Sequence, residues 1–153
     1  MLPVTFDQTA PSDLPQLLAL YRYLHPHDPE LTLDEELLRH WETILRDPAL
    51  HYVVARSEGS LVSTCALTVI PNLTRGARPY GVIENVVTHP DYRRRGIGTQ
   101  VLQHALGLAW EANCYKAMLL TGSKQEATLS FYEHAGFVRG EKTGFVAKPP
   151  QNL

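Results

Sequence analysis

PYGVIENVVTHPDYRRRGIG, Pro79 to Gly98, is the stretch on which the reading of this chain turns. Its first half, Gly81 to Thr88, has the β-branched content of a strand, interrupted only by Glu84 and Asn85. A short turn then leads through Arg93, Arg94 and Arg95 to Gly96, Ile97 and Gly98, where a long apolar stripe begins. Strand, basic loop and helix start in that order predict an anion site. The first N–H groups of a helix have no partner inside it, the helix dipole favours negative charge there, and glycine lets a ligand approach the main chain. A diphosphate is the ligand that such a loop suits.

Downstream, Ile97, Val101, Leu102, Ala105, Leu108, Ala109 and Ala112 fall on one face of a helix from Ile97 to Ala112. Ala117 to Leu120 follows as a short apolar strand, Ala127 to Ala135 as a helix ended by Gly136, and Phe137 to Ala147 as a last hairpin turning at Gly140 and Glu141. Upstream, HYVVARS and LVSTCALTVI flank Glu58 and Gly59 as a β-hairpin, and PNLTRGARP, Pro71 to Pro79, is a loop of turn formers. Val4 to Gln8 reads as a first strand and Pro11 to Tyr23 as a first helix. After the proline-broken loop His25 to Leu31, Thr32 and Glu35 have capping-box spacing for a second helix carrying Leu33, Leu37, Leu38, Trp41, Ile44 and Leu45. The order predicts an α/β fold with a mixed sheet and helices on its faces. A doubly wound nucleotide fold is disfavoured: the early strands form a hairpin, Val101 occupies the third glycine position of GxGxxG, and no GxxxxGK[ST] occurs.

With 153 residues, 44% of them hydrophobic, the chain is sized for one domain over 1–153 with a substantial core. A formal charge of -2, with no basic face beyond the single arginine cluster, argues against nucleic-acid binding. Met1 to Ala10 lacks the features of a signal peptide and no apolar run has membrane-spanning length, so a cytoplasmic protein with no membrane association is expected. Cys65 and Cys114 fit no metal or redox spacing and read as two buried thiols. His25, His27 and Asp28 lack a fourth convincing ligand, so no metal is expected.

RRRGIG, Arg93 to Gly98, matches the [RQ]-x-x-G-x-[GA] signature of the GNAT acyltransferases, and SFYEHAGF, Ser130 to Phe137, matches their FYExxGF segment. Both stand in that family's order, with IENVV before the first, and residues 50–147 carry the resemblance. It implies a mixed, mostly antiparallel central sheet flanked by helices, with a V-shaped opening between the strand Gly81 to Thr88 and the strand Ala117 to Leu120. It implies acetyl-CoA as cosubstrate, its diphosphate on the backbone amides of Arg94, Arg95, Gly96, Ile97, Gly98 and Thr99, with Arg93 beside it and Gln125 among the other coenzyme-binding residues. Its pantetheine would pair like an added strand with Val86 and Val87, and the Val87 amide is the implied donor to the thioester oxygen. The three arginines read either as phosphate contacts or as a solvated basic lip, and the amides rank before the guanidiniums. Within the family, IENVV, CYKAMLLTG and FYEHAGF resemble the glucosamine-6-phosphate N-acetyltransferases. Leu120 stands near an acidic position of that subgroup, and Gln125 replaces an asparagine frequent in the wider family.

Acyl transfer to an amine needs a neutral nucleophile, a stabilised carbonyl oxygen and a proton for the departing thiolate. Glu84, in a mostly apolar strand, is the candidate base or orienting group if burial raises its pKa; its alternative is a structural carboxylate. Tyr132 resembles the family's proton donor to sulfur, against the alternative of a packed helix aromatic. Asn85 alternates to the far side of its strand unless a bulge intervenes. The acceptor is expected to meet Tyr21, His27, Arg75, Arg78 and Asn85, with either arginine able to bind a phosphate or carboxylate or to remain solvated. No histidine or cysteine forms a nucleophilic triad, so direct transfer is expected rather than an acyl-cysteine route. The leading expectation is acetylation of a small-molecule primary amine by a homodimer. The alternatives are acetylation of a protein amino group and a non-catalytic acyl-CoA sensor.

Overall fold

The computed structural model describes residues 2–151. Five strands form one sheet in the order β1-β2-β3-β4-β5: β1 (Val4–Gln8), β2 (Leu50–Ser57), β3 (Ser60–Ile70), β4 (Tyr80–Thr88) and β5 (Ala117–Met118). The first four run antiparallel to their neighbours, and β5 is parallel to β4. Glu58 and Gly59 both have positive φ, which twists the two-residue β2–β3 turn to match the strands. The long helix α4 (Ile97–Glu111) and α5 (Glu126–His134) lie on one face. On the other are α1 (Leu14–Leu24), entered through a 3-10 turn at Pro11–Asp13, and α2 (Glu35–Arg46). A kinked turn, α3 (Thr74–Ala77), occupies the β3–β4 loop.

Alternation along each strand divides the core in two. Val53, Ala55, Val62, Cys65, Leu67 and Ile83 meet Ile97, Val101, Leu102, Ala105 and Ala109 of α4. Val54, Leu61 and Val87 point the other way, onto Leu14, Leu17, Leu20 and Trp41. Both cysteines are buried and free. No helix among the described residues is long and apolar enough to cross a membrane.

Three local expectations need correction. The cap of α2 is Asp34, whose carboxylate accepts the Leu37 N–H at 2.9 Å, in place of Thr32. A carboxylate at that point satisfies an orphan donor and meets the positive end of the helix dipole. Leu33 and Leu38, expected on the buried stripe, are both 51% exposed. The hairpin expected over 137–147 does not form: no strand occurs after β5 among the described residues, and Val138, Phe145 and Val146 lie open to solvent. Arg139, paired with Glu126 and Glu133 of α5, pins the start of that segment.

Candidate active site

The site begins with one extra residue in β4. Thr64 of β3 faces Val87 and Ala66 faces Glu84, so Asn85 and Val86 together oppose the single residue Cys65. Asn85 takes the left-handed conformation, φ 54, which asparagine tolerates better than most residues. The alternation expected for Asn85 is therefore overridden by a bulge. Glu84 and Val87 stand on the α1 side, while Val86 packs against the α4-side core. A bulge bends and twists its strand. β4 and β5 pair only at Gly81–Ala117 and Val82–Met118, below the bulge, and part beyond it, which is the V-shaped opening.

Glu84 is exposed at the edge of this opening, so the burial expected of it is absent. Tyr132 of α5 is half-buried between Phe131 and Phe137 and packs against the α4-side core. Burial first, then the Cys65 thiol and the Glu84 carboxylate, hold its phenol above the ordinary tyrosine value. Tyr132 therefore stays protonated near neutral pH, as a donor must. Burial pushes the Cys65 thiol up to about 12, leaving it almost no thiolate near neutral pH. That suits direct transfer.

At the end of β4, a turn at Pro90–Tyr92 leads to Arg94, with φ 60, and Gly96, with φ 75. Gly96 is the N-cap of α4, makes no side-chain cap and is followed by no acidic residue in the first turn. The start of this 15-residue helix therefore presents uncapped N–H groups from Ile97, Gly98 and Thr99. A Cβ on Gly96 would meet nothing within 4 Å, so a ligand has access to the main chain there. Gly98 has a different reason. A Cβ on it would lie 3.0 Å from Thr88 Oγ1 and 3.1 Å from Phe131 Cζ, so its missing side chain admits the protein's own packing and not the ligand. Arg93 turns back and donates from Nε to the Thr88 carbonyl at 2.9 Å, while Arg95 lies 5.3 Å over the Tyr92 ring. Gln125 caps α5 through its carbonyl, and its side chain is exposed. An uncapped helix start beside two strands that part offers main-chain donors to an anionic group and an open strand edge to an extended chain, features that the acetyl-CoA implied by the family resemblance would use.

The expected acceptor residues are not gathered at one point. The Tyr21 hydroxyl is buried without a hydrogen-bond partner, and burial, then Tyr52 and Cys65, raise its phenol. His27 is exposed on the loop after α1, beside a cavity of about 420 Å³ lined by Leu18, Tyr21, Arg22, His25, Asp28 and Leu31. Arg78 is already employed, donating to the Asn113 and Cys114 carbonyls at 3.2 Å each after the end of α4. Arg75 lies 6.0 Å over the Tyr115 ring. A larger cavity, about 580 Å³, lies between β1 and α4 and includes none of these residues. Among the described residues no group of three His, Cys, Asp or Glu is arranged to hold a metal ion. Sequence reasoning missed Tyr80 and Lys116, which lie at the far end of the face of Glu84; the period-two alternation of β4 was the signal for Tyr80.

The sequence profile of the Acetyltransferase (GNAT) family matches residues 14–137. A solved structure of a candidate acetyltransferase from Agrobacterium tumefaciens str. C58 superposes with a TM-score of 0.89 at 48% identity, covering 95% of this chain and 99% of that one. The glucosamine 6-phosphate N-acetyltransferase of Trypanosoma brucei brucei is 36% identical over 84 residues, 55% of this chain and 55% of that protein. The N-alpha-acetyltransferase 30 of Xenopus laevis is 34% identical over 62 residues, 40% of this chain and 23% of that protein. The match thus spans about half the length of the first of these curated relatives and less of the second.

Proposed function

The chain belongs to the GNAT acetyltransferase family, and we propose that it moves an acetyl group from acetyl-CoA directly to a primary amine of a small molecule. The observation that carries this reading is the parting of β4 from β5 above Val82, which leaves the exposed Glu84 and the edge of β4 beside the uncapped start of α4. Bound acetyl-CoA supplies an activated carbonyl and a sulfur leaving group. Glu84, open to solvent on the acceptor side, takes one proton from the attacking amine directly or through a water. The amine nitrogen bonds to the carbonyl carbon as the carbon–sulfur bond breaks, and the Tyr132 hydroxyl gives one proton to the departing sulfur. One proton leaves the amine and one reaches the thiol, so the sites reset by exchange with solvent. The Val87 main-chain N–H, the donor the family resemblance implies, is directed at Thr64 of β3, in step with the His89 N–H that donates to the Val62 carbonyl, so the donor we assign to the carbonyl oxygen is the Val86 main-chain N–H at the bulge.

A protein amino group is the second reading. The exposure of Glu84 favours it, because the acceptor face of β4 is not enclosed. We also propose that a second copy of the chain covers the exposed Val138, Phe145 and Val146. The test of function is an assay of coenzyme thiol release and product mass against a panel of amines and short peptides. Acetylated small amines are expected. Acetyl-CoA uptake with no thioester loss across the whole panel would leave an acyl-CoA sensor in place of an enzyme.

A further inference from the structure

The face of β4 that carries Glu84 also carries Tyr80 and Val82, because alternate residues of a strand share a side. Their partners in β3 are Ile70, Thr68 and Ala66, and β5 adds Met118 opposite Val82. The buried contacts of α1 and α2 fall elsewhere, on Val54, Leu61 and Val87, so this half of the face lies outside the core on that side. Its middle is apolar: Val82 is partly exposed and Met118 is 39% exposed. Glu84 stands at one end.

At the other end is a group of cations and aromatic rings. The Lys116 Nζ lies 5.5 Å from the Tyr80 ring centre and 5.4 Å from that of Tyr115, with the Arg75 guanidinium 6.0 Å from Tyr115 on the same ring system. The two rings are edge to face at 6.3 Å. Neither Lys116 nor Arg75 is paired with a carboxylate among the described residues. Aromatic faces position a cation without neutralising it, so both charges stay available to a ligand. Arg78, the other candidate in this loop, is taken up by the carbonyls after α4. Four strand steps separate Tyr80 from Glu84, about 13 Å.

We infer that the acceptor is an elongated primary amine bearing an anionic group about 13 Å from its nitrogen, the amine at Glu84, the carbon body on Val82 and Met118, and the anion at Lys116 with Arg75. This deepens the proposed function and rests on Glu84 receiving the amine. The distance exceeds the reach of a compact amino sugar phosphate, whose amine is on the ring and whose phosphate is on the exocyclic carbon beside it, and so it separates this chain's acceptor from the substrate named for its trypanosomal relative.

The test is steady-state kinetics with straight-chain ω-amino acids of increasing length beside alkylamines of matched length. KM is expected to fall for the amino acids at the length that brings the carboxylate to Lys116, with no such minimum for the alkylamines. Lys116→Met raises KM of the best amino acid about fivefold, the size of a surface ion pair, with kcat held. Lys116→Arg, which keeps the charge over the ring, restores the advantage. Acetylation of amines with no preference for a carboxylate at any length, or a preference that survives Lys116→Met, overturns the inference while leaving the enzyme intact. Absence of acetylation with every amine overturns it together with the reading of Glu84.

Discussion

Asp13 shows how one buried residue ties the chain's beginning to its sheet. It is 4% exposed, accepts from both terminal nitrogens of Arg56 and from the Ala10 N–H, and Arg56 also contacts Asp7 of β1. The Arg56 hydrogen bonds hold the Asp13 carboxyl below its ordinary value against the opposing effect of burial. A carboxyl with a lowered folded-state pKa stabilises the fold fully above its unfolded value, and that contribution disappears as pH falls through the folded one. Asp13→Asn therefore costs about 3 kcal/mol near neutral pH, since Arg56 is left half-paired in a largely buried place. Thermal melts read it: the gap between the variant and the unmodified protein closes as pH falls below the carboxylate range, and a gap independent of pH contradicts the assignment. Single residues were also the scale at which the sequence was least legible. Gly98 and Arg78 lie in loops or helix starts whose neighbours come from distant segments, Phe131 in one case and the carbonyls after α4 in the other. No local pattern reveals such partners.

Elements with a strong period were legible: α4 by its stripe, β2 and β3 by β-branched residues around a turn, β4 by its apolar run. The bulge in β4 was not, because an extra residue leaves the composition of a strand unchanged and only the register against Cys65 exposes it. The segment after α5 alternates like a hairpin but forms no strand among the described residues. An isolated hairpin is marginal in water, and Phe145, 90% exposed, has nothing to pack on. That a second copy supplies the partner is tested by sedimentation at working concentration. A mass of two chains is expected, falling to one for Phe145→Asp, and a single-chain mass for the unmodified protein contradicts the pairing.

At the scale of the whole molecule, the chemistry belongs to the fold and not to any one motif. Glu84 lies in the middle strand run, Tyr132 near the end of the chain, and the uncapped start of α4 between them in sequence. The bulge opens β4 from β5, and α5 packs Phe131 against Gly98, which ties the helix of Tyr132 to the start of α4. The most direct measurement is the rate of coenzyme thiol release with a saturating amine for the unmodified protein, Glu84→Gln and Tyr132→Phe, each with its acetyl-CoA affinity. The account predicts that each variant loses about 10²-fold or more in kcat while coenzyme affinity is retained, as expected when a proton-transfer group is removed. Full turnover by both variants would contradict it.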